Sequence, residues 1–375
     1  MRRVAMVMVA FLLAAYPAPT AATSGILPPI YPANPGAITV VINPGHGGRF
    51  IGAVGYGLRE KNVNLDIGLR LRQLLLDAGV HVVMTRTTDT AVNKPRLDVN
   101  GDGFVGRTPD ELAARVDIAN LARADVHIFN HFNGARCGCA RGTKTYTGGK
   151  RVFAPENVAF ARLIQSELIH ELDQFRDGAY YPIDRGVKTR AFYYTLSDYA
   201  PPLWPRPSLM PTVLTETLYI SDPIEAGLLH RDEVRQAIAE GMYLGIADYL
   251  ATRLYGIRYE VLDAPARLPA TGTADYRIRV TNTGNLPSAG WQLQLHGVRA
   301  APKYDGSAAI GNILGSADIP DGVAPGATTD LVVHATAPAT AGQWLVKADT
   351  FIGGAERQLL SQRGVVALQV PLTTQ

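Results

Sequence analysis

The chain has 375 residues, enough for two or three domains of ordinary size and a sizeable buried core. Apolar residues make up 47% and charged ones 18%, with 37 glycines and 25 prolines scattered without period, which excludes disordered, collagen-like and low-complexity classes. The formal charge is only +3, and Arg2 and Arg3 supply two of those charges, so nothing in the electrostatics supports a nucleic-acid partner.

Residues 1–22 read as a secretory signal: two arginines, the uncharged run Val4 to Tyr16, then the small residues Ala18, Thr20, Ala21 and Ala22. The apolar run is too short for a membrane-spanning helix and no longer one follows, so export is expected, to the cell envelope or beyond, without stable membrane insertion. Residues 23–37 carry four prolines and no charge, which suits an extended linker. Ile38 to Ile42 is a β-branched run and reads as a buried strand. Between Asn62 and Ala78, Val63, Ile67, Leu71, Leu74 and Leu75 recur at helical spacing, and Gly79 supplies the stop. Val80 to Met84 is the next strand. Thr108-Pro-Asp-Glu111 then spells a helix start, with an N-cap threonine and a glutamate placed for a capping box, and the helix runs to about Ala122. Val126 to Phe129 is predicted as a strand, Pro155 to about Phe175 as a helix, Phe192 to Leu196 and Thr212 to Thr215 as strands, and Arg231 to about Leu254 as a last helix. This alternation predicts an α/β fold over 38–255, a mostly parallel sheet with helices on both faces.

From residue 256 the helical period gives way to short alternating segments, among them Tyr276–Thr281, Trp291–Leu295, Asp330–His334, Gln343–Lys347 and Val365–Val370. Turn signals separate them, and about seven strands are expected in an all-β sandwich over 256–375. Independent folding of this part is expected; the alternative is a sandwich packed over the end of the α/β sheet.

The candidates for chemistry begin with His46, in Asn43-Pro-Gly-His-Gly-Gly48, a turn at the carboxyl end of a strand, where open α/β sheets place ligands. Glu60 follows where a loop enters a helix, His131 closes the Val126 strand, and Glu216 ends the Thr212 strand. His127 and His131 are about 13 Å apart on a strand, too far to share one ion, so His127 reads as a core residue. Two imidazoles, one carboxylate and an open position form a usual catalytic zinc set, with a further glutamate as base. Taken singly, His46 reads as a surface histidine, Glu60 as a first-turn acid and Glu216 as a capping acid.

Cys137 and Cys139 sit in Arg-Cys-Gly-Cys-Ala, where export permits a disulfide and two free thiols are the alternative. Two lone cysteines do not make a zinc knuckle. Asp98-Val-Asn100-Gly-Asp102-Gly repeats the start of a calcium loop, but position twelve is Pro109, so Ca2+ at Asp98, Asn100 and Asp102 competes with a plain polar turn. In the proline-rich insertion 198–208, Trp204 reads either as a platform for a sugar face or as a packed side chain.

The motifs together resemble the zinc-dependent N-acetylmuramoyl-L-alanine amidases, which hydrolyse bacterial peptidoglycan. The matching text is Pro44-Gly-His-Gly-Gly48, Gly57-Leu-Arg-Glu-Lys-Asn62, Thr85-Arg86, Ala119-Asn120 before Ala124-Asp125, His131-Phe-Asn133, Asp184-Arg-Gly-Val-Lys188 and Val213-Leu-Thr-Glu216 with Ile220-Ser221. The resemblance implies that His46, Glu60 and His131 hold Zn2+ and that Glu216 is catalytic. Peptidoglycan is then the partner, Arg185 a candidate for holding a substrate carboxylate, and the protein a monomer. Three positions depart from the family pattern: Asn43 stands for an aspartate, Phe50 for an acidic residue and Phe129 for a serine. The C-terminal part resembles bacterial immunoglobulin-like modules through Val280-Thr-Asn-Thr-Gly284, Val323-Ala-Pro-Gly326 and Ala337-Pro338.

Overall fold

The computed structural model describes residues 37–99, 102–106, 108–190, 195–196, 207–299, 311–353 and 358–375. The expected signal (1–22), nearly all of the linker (23–37), Asn100 and Trp204 lie outside the described residues.

The first part runs β1 (Thr39–Pro44), the short hairpin β2 (Val54–Gly55) and β3 (Leu58–Arg59), α1 (Glu60–Asp77), β4 (His81–Met84) and α2 (Thr108–Leu121). It continues with β5 (Val126–Asn133), β6 (Thr143–Thr147), α3 (Ala154–Asp173), β7 (Asp184–Thr189), β8 (Thr212–Tyr219), α4 (Pro223–Leu229) and α5 (Asp232–Thr252). The six-stranded sheet has the order β4-β1-β5-β8-β6-β7. Its first four strands are parallel, while β6 pairs antiparallel with β8 and parallel with β7, so the sheet is mixed.

Alternation along β1 sorts the two faces. Val40 and Ile42 pack with Val63, Ile67 and Leu71 of α1, Phe160 and Ile164 of α3, and Ile238 and Met242 of α5. Val41 points the other way, into a cluster with Ala119 of α2, Ala124, Met210 and Val366. The α1 stop falls where expected, with Gly79 at φ +79° and its amide bonded to the Leu76 carbonyl at 2.9 Å.

Three local expectations need correction. Strands β6 and β7 went unread, since Thr143-Lys-Thr-Tyr-Thr147 and Asp184-Arg-Gly-Val-Lys-Thr189 each carry a single large apolar residue, Tyr146 and Val187. Of the strand predicted over 192–196 only Thr195 and Leu196 are described, and they form a turn. Leu196 packs with Phe129, Tyr146 and Leu214 and so covers the sheet rather than joining it. Glu111 does not close a capping box; its carboxylate accepts the Val92 and Asn93 amides at 2.8 and 2.9 Å and pairs with buried Arg115 at 2.8 Å.

The C-terminal part is rich in strands: β9 (Ile257–Asp263), β10 (Arg267–Leu268), β11 (Thr273–Asn282), β12 (Trp291–Arg299), β13 (Asn312–Asp318), β14 (Thr328–Thr336), β15 (Gly342–Ile352), β16 (Gln358–Leu359) and β17 (Leu368–Thr374). One sheet has the order β10-β17-β15-β12-β13 with β16 on β15, the other β14-β11-β9. Their inward residues, such as Tyr276, Ile278 and Val333 from one and Leu293, Leu295 and Val346 from the other, share a single core. The last strand starts at Leu368, three residues later than predicted, because Val366 turns to the cluster of Val41 and Met210.

The two parts are in close contact. Asp125, just before β5, pairs with Arg253 at 2.5 Å and with Arg258 of β9 at 3.3 Å, and its Oδ2 accepts the Thr39 amide at 2.8 Å. Arg363 lies 3.6 Å from Glu156 of α3.

Candidate active site

Three elements bring His46, Glu60 and His131 together: the turn after β1, the first residue of α1, and β5. The Glu60 carboxylate lies between the imidazoles, with Oε2 3.1 Å from His46 Nε2 and Oε1 2.9 Å from His131 Nδ1. Backbone amides fix that carboxylate independently, Ala53 donating to Oε2 at 2.8 Å and Phe132 to Oε1 at 3.2 Å. Burial alone would raise the Glu60 carboxyl, but the bonds from His131 and His46 outweigh it and hold the group well below the usual carboxylate range. Burial lowers His131, against the opposing pull of Glu60.

Glycines make the close approach feasible. A Cβ at Gly45 would come within 2.3 Å of the His131 ring, and one at Gly52, where φ is +74°, would strike the Glu60 carboxylate and His46. His46 itself has φ +62°, an uncommon conformation for a residue with a side chain. Two arginines stabilise it by gripping the carbonyls of the turn. Arg86 donates to Pro44, Gly45 and Lys61 at 2.9, 2.9 and 2.7 Å. Arg115 donates to Pro44 at 2.9 Å and to His46 at 2.5 Å.

Glu216 of β8 stands in register with His131 of β5 on one side and Lys144 of β6 on the other. Its carboxyl is pushed up to about 8, first by burial and then by the charge of Glu60, with Lys144 opposing. Its Oε2 is buried without a hydrogen-bond partner among the described residues. Both β5 and β8 run further than predicted, so His131 and Glu216 lie inside their strands rather than at the ends.

The donor set suits a metal ion. The ligand atoms of His46, Glu60 and His131 all lie within 4.8 Å of one another, and no other such cluster occurs among the described residues. Two imidazoles and a carboxylate are borderline ligands of the kind zinc takes, and the unpartnered Glu216 oxygen belongs to the residue paired with His131 on the next strand. At the calcium-like loop, Asp98 accepts the Gly103 amide at 3.0 Å and Asp102 the Phe104 amide at 2.9 Å, as a polar turn would.

The departures from the family pattern have definite partners. Asn43 meets His127 Nε2 at 3.2 Å and accepts from Thr85 at 3.0 Å and Arg115 at 2.6 Å. His127 is fully buried, as read, and burial followed by the Arg115 charge lowers it to about 3. Phe129 stacks on His127 with ring centroids 4.2 Å apart, and Phe50 bridges back to Gly47. Cys137 and Cys139 are disulfide-bonded in the loop between β5 and β6. Arg185 of β7 donates to the Tyr219 hydroxyl at 2.9 Å and lies over that ring.

Sequence reading missed Arg115 and Lys144. Arginine on the buried side of a helix, between Ala113 and Val116, was a signal for the first. The alternating, β-branched Thr143-Lys-Thr-Tyr-Thr147 was one for the second.

Residues 40–248 match the family model described as N-acetylmuramoyl-L-alanine amidase, more than half of the chain. The chain belongs to that family. The amidase is 29% identical over 214 residues to the germination-specific N-acetylmuramoyl-L-alanine amidase of Bacillus subtilis, an alignment covering 57% of this chain and 80% of that protein. It is 32% identical over 207 residues to the LytC amidase of the same organism, covering 54% of this chain and 34% of LytC. Among solved structures it is similar to the CwlD amidase of Clostridioides difficile, solved in complex with the GerS lipoprotein. The identity is 25% and the TM-score 0.45, covering 57% of this chain and 98% of that one. No described helix of the amidase is long and apolar enough to cross a membrane.

Proposed function

We propose that the amidase is a zinc-dependent enzyme, exported through its first 22 residues, that cleaves the amide between the lactyl group of N-acetylmuramic acid and L-alanine. The observation that carries this reading is the Glu60 carboxylate set between His46 and His131, with the unpartnered Glu216 oxygen on the next strand. His46, Glu60 and His131 would hold the zinc. When bound, it supplies Lewis acidity that activates a water and polarises the scissile carbonyl.

Glu216 takes the proton of the attacking water on its buried Oε2 and gives it to the departing amine. Asn133 holds the Glu216 backbone carbonyl at 2.9 Å, which fixes the strand that carries the base. Arg185 holds a carboxylate of the substrate. The strand-rich C-terminal part is read as an immunoglobulin-like module of the same chain.

The test is digestion of purified cell wall followed by mass analysis. New amino termini on L-alanine, lost with a chelator and restored by zinc, are the expected result. Cleavage between amino acids would replace this reading with a stem-peptide peptidase, and no cleavage at all would leave a wall-binding protein.

A further inference from the structure

Beyond Glu216 the sheet continues through β6 and β7 and carries a row of cations. Lys144 pairs in register with Glu216, and Lys188 with Tyr146. Directly paired residues on neighbouring strands project to one face, so Glu216, Lys144, Tyr146 and Lys188 share it. Arg190 follows two residues after Lys188 and lies over the Tyr146 ring at 5.6 Å. Lys144 is held between two rings, 5.4 Å from the Tyr146 centroid and 5.7 Å from that of Tyr219, on which Arg185 also rests at 5.4 Å. Lys144, Tyr146, Arg185, Lys188 and Arg190 line an open cavity of about 410 Å³. None of these four cations is within ion-pair distance of a carboxylate among the described residues.

Four cations without an ion pair among the described residues, three of them (Lys144, Arg185 and Arg190) resting on aromatic faces, begin one strand from the proposed base and form a prearranged anion site. Resting on the amidase reading, we propose that this groove grips the stem peptide by its free carboxylates and so selects stems that are not amidated. Neighbouring strands are about 4.8 Å apart, which puts β6 roughly 5 Å and β7 roughly 10 Å from Glu216. An extended peptide advances about 3.3–3.6 Å per residue, so the groove faces the second and third residues beyond the scissile bond. There a D-glutamate or diaminopimelate carboxylate is available unless it is amidated. The cluster is compact and lies beside the base, which favours a short acidic peptide over a long polyanion.

The test uses the full chain loaded with zinc and two substrates, N-acetylmuramoyl-L-alanyl-γ-D-glutamyl-diaminopimelate and its amidated D-isoglutamine form. The free acid is expected to show a KM about tenfold lower, a preference that collapses in 1 M salt. Replacing Lys188→Gln together with Arg190→Gln should raise KM for the acid about tenfold and leave turnover of the amidated form as an internal measure of folding. Equal KM for both substrates, an equal effect of the double substitution on both, or tighter competition by short polyphosphate than by the acidic peptide would overturn the proposal. Calorimetric titration of the free tripeptides separates the two readings. Discrimination between acid and amide without cleavage of the lactyl amide would keep the groove and sink the amidase assignment. Cleavage without discrimination would do the reverse.

Discussion

Arg115→Met tests how the His46 turn is held. Arg115 is buried, and its guanidinium bonds the Glu111 carboxylate, the Asn43 side chain and the carbonyls of Pro44 and His46. Removing one partner of a buried ion pair costs about 3–5 kcal/mol. Glu111 keeps the Val92 and Asn93 amides, Pro44 keeps Arg86, and Asn43 keeps Thr85, so the lower end applies. The His46 carbonyl, left without its donor, adds about 1 kcal/mol. The sum is about 4 kcal/mol, measured by urea unfolding of the zinc-free chain. Because the lost bond also supports the positive φ of His46, zinc affinity should fall at least about tenfold. The double change Arg115→Met with Glu111→Gln removes the stranded charge and should recover roughly half of the stability but little of the zinc affinity. A single-variant loss under about 1 kcal/mol, or unchanged zinc affinity, would refute this account.

Replacing His46 or His131 with alanine should remove stoichiometric zinc and activity together; metal analysis finding one zinc per chain in both variants would put the site elsewhere. Glu216→Gln should keep zinc and lose about 10²–10⁴-fold in turnover, and a loss under about tenfold would make Glu216 structural. Burial pushes the Glu225 carboxyl up to about 7 although Gly142 and Tyr219 amides bond it, so the folded state favours its protonated form. Its contribution is whole below about pH 4.5 and is lost as pH rises through 7. Wild-type stability should therefore fall by about 3 kcal/mol more than that of Glu225→Gln over this range; parallel curves would refute it. A chain ending at residue 255 should lose stability or aggregate, since Asp125 loses Arg258 and the Val41 cluster loses Val366. An unchanged unfolding midpoint would show the two parts to be independent.

The parts of the fold legible in the sequence are those where local pattern and tertiary demand agree. Alternating β-branched runs and the spacing from Val63 to Leu75 express burial directly, and β1, α1, α2, α3 and α5 lie within about two residues of expectation. The cluster of His46, Glu60 and His131 was legible for a different reason, because their glycines and flanking loop residues are rare combinations. What stayed hidden was long-range. Glu111 carries a capping-box spacing, yet the buried charge of Arg115 four residues on claims it. Val366 looks like one more strand residue and is instead drawn to the other part of the chain, which no local pattern announces.

The direction of β6 explains why Lys144 stands beside Glu216, the proposed base. A parallel strand next to β8 would have to be entered from the Asp125 end of the sheet, and its first residues would lie far from Glu216. Strand β6 is antiparallel to β8, so the chain leaves β5 at the His131 end, passes the Cys137–Cys139 loop and re-enters the sheet at that same end. The second residue of the new strand therefore falls opposite Glu216, and β7, parallel to β6, brings Arg185 and Lys188 to the neighbouring positions. The crossover through α3 leaves the other end of the sheet to the contacts of Asp125 with Arg253 and Arg258. Reversing two strands thus gathers the proposed base and a row of cations at one edge, a juxtaposition that an all-parallel sheet of the same residues would pull apart.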